Sequence, residues 1–438
     1  MKTGVPYVVL TMMMYSLLIP VISAVGITPT SVRPGSEENA TPPAINQIDP
    51  PATEDSFAPN LHVSGDRAIL SWLEIVETGI SDHPRKRSYR LRFAFFENEH
   101  WSAPRTIIEG VEFFANWADV PSVAIGRDGT LLAHWLEKSG PGTFAYDVRL
   151  ARSTDDGETW SLLGPAHNDG TQTEHGFVSL VPEDEGVRAF WLDGRQMEID
   201  DEEDTDDSGH GNGSMTLRTA LVTDQVTQGM LLDDRICECC GTSAVMTSQG
   251  PLIAYRDRDF DETRDIWFVR YDGMEWTSPA PVHVDGWKIA GCPVNGPAVA
   301  AKESLVVVAW YTQAGNQQQI RVAFSHNDGA TFNKAVIVDP SGAMGRVDVV
   351  LDDSGQAIIC WLDSTLMAGA IVACRVSPDG NMGKIVTLAG TSTARSSGFP
   401  KLGRVGDDLL LIWTEDSGTR KVRAATIRIS DIPSVGTK

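Results

Sequence analysis

Four of the six cysteines in this chain are placed where they could act together. Three stand in the run Cys237-Glu-Cys-Cys240, so Cys239 is included, and the fourth is Cys292. Thiolates are soft ligands, which suit Cu(I) or Zn²⁺. Two other chemistries remain open, because an oxidising compartment would join the four thiols in two disulfides, and a pair of them could be redox-active. Crowding in the run makes ordinary bridge geometry awkward for at least one of these cysteines.

A sequence repeat indicates how these cysteines meet. A β-branched strand that ends in an aromatic residue recurs at intervals of about 50 to 60 residues, a spacing typical of β-propeller blades. The aromatic anchors of the seven copies are Trp72, Trp135, Trp191, Tyr255, Trp310, Trp361 and Trp413. We therefore predict an all-β fold, a β-propeller of four-stranded blades with seven repeats. A strand near residues 44–48 is expected to complete the last blade.

Equivalent positions in the repeats predict which residues share a face. Cys237 and Cys292 are equivalent in neighbouring units and should lie at the mouth of the axial channel. By the same count, His175 lies on the ring of Cys239, one blade away, and joins the candidate metal ligands. Acids follow six of the seven anchors by two residues: Glu74, Glu137, Asp193, Asp257, Asp363 and Glu415. They make this mouth negative, although each carboxylate could instead satisfy the amides of a turn.

Arginines and polar residues are predicted around the same mouth. Arg256, Arg258 and Arg264 could clamp a carboxylate or phosphate, or they could brace their hairpin through an Arg–Asp network. Further candidates for lining the mouth lie on rim loops of other units: Asn116, Trp117, Asn295, Arg346 and Asp348.

Two segments share the pattern Ser-x-Asp/Asn-x-Gly-x-Thr-aromatic, namely Ser153–Trp160 and Ser325–Phe332. In such a turn Asp or Asn bonds nearby backbone amides, and Gly takes the positive φ. With these motifs the chain resembles the sialidase-like, Asp-box β-propellers. Sialidases have six blades, so a six-bladed propeller is the alternative architecture.

The resemblance also implies candidate catalytic residues. Arg256 and Arg346 would grip the carboxylate of an acidic sugar, and Asp257 or Asp119 would be the acid/base. The chain lacks the Phe/Tyr-Arg-x-Pro motif before its first Asp-box and has no tyrosine after Tyr311. The sequence alone therefore does not decide whether the protein is an enzyme.

The net charge limits the classes of partner, and the N-terminal segment indicates the compartment. The net charge of −23 disfavours nucleic acid and anionic membranes as partners and favours cations. Residues 1–26 are typical of a signal peptide, with an N-terminal membrane anchor as the alternative, so we expect a secreted or periplasmic protein. Residues 27–55 read as a disordered linker, 56–432 as one propeller domain, and 196–214 as an acidic loop insertion. That loop is either a solvated segment or a weak Ca²⁺ or substrate-gating loop.

These observations support three functional hypotheses. The preferred one is a secreted or periplasmic propeller that binds a small ligand, a transition metal such as copper or zinc, at a mouth lined by cysteine, histidine and acids. The second is a sialidase-type glycoside hydrolase that acts on acidic glycans. The third is a protein-interaction scaffold, for which the sequence provides no partner signature.

Overall fold

The computed structural model describes residues 42–76, 87–197, 213–365 and 369–435. Within these ranges the chain forms seven antiparallel sheets, so the all-β, seven-bladed prediction is confirmed and the six-bladed alternative is wrong. Blade 1 consists of β2 (Ser56–Ser64), β3 (Arg67–Val76), β4 (Ser88–Glu97), β5 (His100–Trp101) and β6 (Arg105–Gly110). Blade 2 consists of β7 (Ser122–Ile125), β8 (Leu131–Lys138), β9 (Tyr146–Ser153) and β10 (Ser161–Pro165).

The remaining blades follow in chain order. Blade 3 consists of β11 (His175–Pro182), β12 (Val187–Asp193), β13 (Met215–Val222) and β14 (Met230–Ile236). Blade 4 consists of β15 (Ser243–Met246), β16 (Pro251–Arg256), β17 (Ile266–Arg270) and β18 (Ala280–Pro281). Blade 5 consists of β19 (Ala298–Lys302), β20 (Leu305–Thr312), β21 (Gln319–Ser325) and β22 (Val336–Asp339). Blade 6 consists of β23 (Ala343–Leu351), β24 (Ala357–Asp363), β25 (Ala370–Val376) and β26 (Val386–Gly390).

Blade 7 is built from both ends of the domain. Its strands are β27 (Lys401–Val405), β28 (Asp408–Asp416), β29 (Arg420–Arg428) and, at the outer edge, β1 (Ile45–Gln47). In β1, Asn46 pairs with Thr426 of β29. These three residues lie in the segment 27–55 interpreted as linker, and they form the strand that was expected near residues 44–48 to complete the last blade. Residues 1–26 and 198–212 lie outside the described residues, and they hold the predicted signal peptide and most of the acidic insertion.

The core lies between neighbouring blades rather than in one central mass. Trp191 of blade 3, for example, packs with Leu132 and Val148 of blade 2 and is fully buried. The second strands can be apolar along most of their length because both of their faces are covered by neighbouring blades. No helix among the described residues is long and apolar enough to cross a membrane.

Three of the six recurrent acids, Glu74, Glu137 and Asp193, accept from the tryptophan two residues before them. The indole Nε1 of Trp72 donates to Glu74 at 2.9 Å, and that of Trp191 donates to Asp193 at 2.8 Å. A buried indole N–H needs an acceptor, and the carboxylate two residues later provides one. Asp363 instead accepts from the Thr365 amide at 2.8 Å, which is the turn role that the sequence left open.

The two Asp-box segments form turns at the opposite ends of the blades from these acids. In the first, Asp155 accepts from the Thr159 amide at 2.9 Å, and Ser153 Oγ accepts from the Gly157 amide at 2.8 Å. The ring of Trp160 packs edge-on against Phe93. Ser153 pairs with Leu131 at the start of β8, so this turn is remote from the face on which β8 ends.

Candidate functional site

The cysteine cluster forms where the chain passes from blade 3 to blade 4. Cys237 Sγ is 3.5 Å from Cys240 Sγ and 3.9 Å from Cys239 Sγ, and all three sulfurs lie within 4.8 Å of one another. Cys292, on the connection from blade 4 to blade 5, hydrogen-bonds to Cys239. The structure therefore brings together the four cysteines that the repeat predicted, and none of the six cysteines is in a disulfide.

Burial and hydrogen bonding shift the pKa values of the three thiols in different directions. Burial raises the pKa of Cys237 to about 11, and hydrogen bonding to Cys237 raises the pKa of Cys239 well above its usual value. Cys240 behaves differently: against the opposing effect of burial, hydrogen bonds from the other two thiols and the charge of Arg256 hold its pKa well below the usual value. The Asn295 amide also donates to Cys240 Sγ, at 3.4 Å. Negative charge in the cluster therefore collects first on Cys240.

A network of arginines and glutamates surrounds the cluster. Arg264 Nη1 lies 3.1 Å from Cys237 Sγ and 3.0 Å from the buried carboxylate of Glu238. Arg258 also pairs with Glu238, and both arginines pair with Glu262. Arg258 and Arg264 are thus engaged in bracing the cysteine loop, the structural alternative to a ligand clamp, although their partners are glutamates rather than aspartates.

Arg256 is bound to main-chain carbonyls. Its Nη2 donates to Asn295 O and Tyr311 O, both at 2.8 Å, and its Nη1 donates to Arg264 O. The guanidinium also lies over the Trp287 ring, 4.8 Å from its centroid. Arg256 is fully buried, and its bonds to these carbonyls link blade 4 to blade 5.

Arg346 has a comparable role at the start of blade 6. Its Nη1 donates to Ser397 Oγ at 2.9 Å and to two main-chain carbonyls. Its guanidinium lies over Trp117, which stacks on Phe399 with centroids 5.8 Å apart. Burial, with the nearby charge of Arg395, lowers the pKa of Arg346 to about 10. The Arg346 amide donates to the side chain of Asn295 at 2.8 Å. This bond links the Arg346 group to the connection between blades 4 and 5, which also contains Cys292.

An axial cavity of about 290 Å³ lies inside the innermost strands. Asp119, Trp117 and Asp348 line it, and Gly241 and Thr242, directly after Cys240, also line it. The cysteine cluster is therefore next to the cavity. Two predicted residues have local roles here. Asn116 accepts from the Ala118 amide at 2.8 Å, and Asp348 accepts from the Leu402 amide at 2.9 Å.

Asp119 belongs to a buried chain of hydrogen-bonding groups. Its Oδ1 accepts from the Phe177 amide at 2.8 Å, and its Oδ2 is 3.3 Å from the Tyr146 hydroxyl. That hydroxyl is 2.7 Å from Glu174 Oε1. One phenolic proton cannot serve both carboxylates at once, so it serves Glu174 and a protonated Asp119 satisfies the longer contact. Burial, opposed in part by the Phe177 amide, raises the pKa of Asp119 to about 8.

Asp257 lies apart from Asp119, at the end of the second strand of blade 4. Its amide donates to Asp265 O at 2.9 Å. Burial, followed by the charge of Asp233, raises the pKa of Asp257 to about 7. Asp119 and Asp257 are thus two separate carboxyl groups that hold a proton near neutrality.

His175 is not part of the cysteine cluster. Its Nε2 lies 3.3 Å from Asp169 Oδ2 and 3.8 Å from Asp193 Oδ1, and its ring stacks on His167. Among the described residues it has no contact with a cysteine sulfur. The neighbours of His175 are therefore His167 and Asp169 of the loop before β11, together with Asp193, rather than the cysteines that the repeat count suggested.

Sequence reasoning missed several of these groups because they lie in loops rather than at repeated strand positions. Glu238 sits inside the cysteine run, where its charge is matched by arginines from a hairpin on the same blade. The spacing His167-x-Asp169 followed by His175 was the available signal for the second cluster. Nothing in the repeat predicted that Tyr146 would bridge Asp119 and a glutamate from the next blade.

Comparisons with known proteins identify the fold. No family model and no curated protein matches the chain. A crystal structure of a protein of unknown function from Dyadobacter fermentans is 14% identical, with a TM-score of 0.51, and the match covers 88% of this chain and 98% of that one. The polysaccharide lyase Uly1 is 9% identical, with a TM-score of 0.50, and the match covers 85% of this chain and 90% of the lyase.

Sialidase propellers are also among the solved neighbours. The NanB sialidase of Streptococcus pneumoniae is 13% identical, with a TM-score of 0.45, and the match covers 91% of this chain and 72% of the sialidase. At these identities the likeness concerns the β-propeller fold alone.

Proposed function

We propose that this propeller binds one thiophilic transition-metal ion, Zn²⁺ or Cu(I), through Cys237, Cys239, Cys240 and Cys292. The observation that carries the proposal is the spacing of the sulfurs of Cys237, Cys239 and Cys240, and Cys292, a hydrogen-bond partner of Cys239, would be the fourth ligand. Four sulfurs placed tetrahedrally at about 2.3 Å from a zinc ion lie roughly 3.8 Å from one another. The separations of 3.5 and 3.9 Å around Cys237 are close to that edge and far longer than a disulfide bond of about 2.05 Å.

The surroundings favour bound thiolates. Four thiolates and a dication carry a net negative charge, and the nearby guanidiniums of Arg264 and Arg256 offset it. The Asn295 amide, directed at Cys240, supplies the hydrogen bond that commonly supports a metal-bound sulfur. Cys292 is exposed, so an ion can enter from its side.

Elemental analysis of protein purified without added chelator tests the proposal. We expect about one equivalent of zinc or copper, and loss of that equivalent in the double variant Cys239→Ser, Cys292→Ser. Cys374→Ser is the matched control, because this core thiol lies in blade 6 and should leave the metal content unchanged. Protein without metal whose four thiols are joined in two disulfides by mass spectrometry would contradict the proposal.

A glycoside hydrolase acting on acidic glycans is the second candidate, and Asp119 favours it. A carboxyl group that lines a cavity and keeps its proton near pH 7 is suited to act as a general acid. One of the solved propellers of similar fold is a polysaccharide lyase. Arg256 and Arg346 bind main-chain carbonyls, so the candidate depends on Asp119 rather than on that arginine pair.

Hydrolysis of fluorogenic glycosides tests this second candidate. If Asp119 is the acid, Asp119→Asn should lower the turnover of a sialoside or uronide by about 10²-fold or more. Asp257→Asn is the informative partner variant, because it removes the other carboxyl with a raised pKa. Undiminished turnover in both variants would exclude these acids from catalysis.

A further inference from the structure

A second group of potential metal ligands lies between blades 2 and 3, separate from the cysteines. We call it the His–Asp cluster, and its members are Asp147, His167, Asp169, His175 and Asp193. Asp147 comes from β9, and His167 and Asp169 come from the loop between β10 and β11. His175 begins β11 and pairs with Asp193, the last residue of β12. One side-chain atom each of Asp147, His167 and His175 lies within 4.8 Å of the others.

Hydrogen bonds hold both imidazoles ready to act as ligands through Nε2. His167 Nδ1 lies 2.9 Å from Asp169 Oδ2, and His175 Nδ1 lies 3.2 Å from Thr173 O. A carbonyl oxygen can only accept, and the carboxylate also accepts, so Nδ1 of each ring carries a proton. Nε2 of each ring then faces carboxylate oxygens, Asp147 for His167 and Asp169 and Asp193 for His175, so a bound cation would lie between groups that are all metal ligands.

The ligand atoms are buried and make no hydrogen bond, although carboxylate oxygens lie at 3.3–3.8 Å from both Nε2 atoms. His175 is 0% exposed and His167 is 7% exposed, and the Nε2 atoms of both have no hydrogen bond. Asp147 Oδ1 is likewise buried without a hydrogen bond, 3.6 Å from His167 Nε2. Three buried polar atoms of metal-ligand type without a hydrogen bond are costly unless something binds them.

We propose that Asp147, His167 and His175 bind a divalent transition-metal ion, with Asp169 orienting His167. Two imidazole nitrogens and one carboxylate oxygen suit Zn²⁺, Fe²⁺, Co²⁺ or Ni²⁺, in contrast to the all-sulfur cluster. The three carboxylates of the His–Asp cluster outnumber the neighbouring guanidiniums of Arg195 and Arg218, so the cluster has a negative balance that favours a dication.

The stacking of the two rings limits how the ion can bind. Their centroids are 3.6 Å apart and the planes are within 5° of parallel, so one ion cannot lie in both ring planes. Binding therefore requires one ring to tilt about its Cβ–Cγ bond. Metal uptake should change the spectroscopic environment of the two histidines, which separates coordination from a passive hydrogen-bond network.

Cobalt titration of the metal-free full-length chain tests this proposal. We expect the unmodified chain to bind one equivalent without sulfur-to-cobalt charge-transfer absorption, in addition to any equivalent held by the cysteines. His167→Gln should abolish it, and Asp147→Asn should weaken it by about tenfold or more. His283→Gln is the matched control, because His283 Nδ1 also bonds an aspartate two residues later, Asp285, outside the cluster.

The outcomes are distinguishable from those of the cysteine proposal. Cys239→Ser, Cys292→Ser should leave the cobalt equivalent of the His–Asp cluster intact. If His167→Gln does not fold, Asp147→Asn decides, since its side chain is partly exposed and keeps its shape. Equal cobalt stoichiometry and affinity in the unmodified chain and in Asp147→Asn, or no change in the histidine NMR signals on titration, would overturn the proposal.

Discussion

At the cysteine cluster, the carboxylate of Glu238 is only 1% exposed and lies between Arg258 and Arg264. A buried ion pair contributes little by itself, but removing one partner leaves an uncompensated charge. Arg264 also contacts Cys237 Sγ, so its guanidinium serves two buried acceptors. The arrangement ties the stability of blade 4 to the geometry of the cysteine loop.

We therefore expect Arg264→Gln to lower the free energy of unfolding by about 3 kcal/mol, because Glu238 loses its more buried partner. Arg127→Gln is the control: Arg127 bonds Asp184 at 2.7 Å, but both side chains are largely exposed, so the loss should be under about 1 kcal/mol. Urea denaturation measures both values. Similar losses in the two variants would contradict the role assigned to burial.

The carboxyl group of Asp119 should make stability fall as pH rises. Its pKa is about 8 in the folded protein, because of burial, against about 4 in an unfolded chain. The folded state then binds the additional proton between these values, so this group costs stability progressively from about pH 4 to about pH 8.

Asp119→Asn should flatten this part of the pH profile, which unfolding measured at several pH values would detect. Some slope should remain, because the pKa of Asp257 is also raised, to about 7. Asp66→Asn alters an exposed carboxylate between β2 and β3 and is the control. An unchanged profile in Asp119→Asn would show that the carboxyl is ionised throughout.

At the scale of a single element, the Asp-box turns fix the outer ends of blades through one glycine each. Gly157 has φ of +81°, and a Cβ at this position would lie 2.4 Å from Phe93 Cζ. The turn thus brings the backbone directly against an aromatic ring of the preceding blade. The motif is therefore a packing device between blades as well as a hairpin turn.

Two alanine substitutions separate these effects. Gly129 has φ of +82° and open space where its Cβ would be, so Gly129→Ala should cost only the backbone strain, about 1 kcal/mol. Gly157→Ala should lower the free energy of unfolding by about 1–3 kcal/mol more than Gly129→Ala, because the methyl group would collide with Phe93. Thermal or denaturant unfolding compares them, and equal losses would show that the ring moves aside freely.

Sequence reasoning succeeded for elements that repeat and failed where side chains meet across loops. The tryptophan anchors predicted the second strands because each blade buries the same position. The convergence of Cys237 and Cys292 followed from that equivalence. The pairing of His167 with His175, and the occupation of Arg256 by main-chain carbonyls, depend on loop conformations that no periodic pattern encodes.

At the scale of the whole molecule, the ring is closed by the three residues of β1. Beyond the strand itself, Ile48 N donates to Ala424 O at 3.0 Å, the Trp101 indole donates to Ile48 O, and Asp49 pairs with Arg423. Hydrogen bonds of this kind contribute roughly 1 kcal/mol each. The segment thus joins blade 7 to the outer edge of blade 1.

A chain that starts at residue 50 should therefore be less stable than one that starts at residue 42, by about 2–4 kcal/mol. Both truncations remove residues 1–41, so only the closing segment differs. Differential unfolding in urea provides the comparison. Identical midpoints for the two chains would mean that β29 is an adequate outer edge on its own.

The closure by β1 also has a consequence for biosynthesis. Asn46 and Thr426 are 380 residues apart in the sequence. The partner strand of β1 is therefore synthesised only after nearly the entire domain has been translated. Until then β1 has nothing to pair with, and the growing row of blades has an open end at each side. Native closure should thus be a late, post-translational event, and a ribosome stalled before β29 should display an assembly that chaperones can still engage.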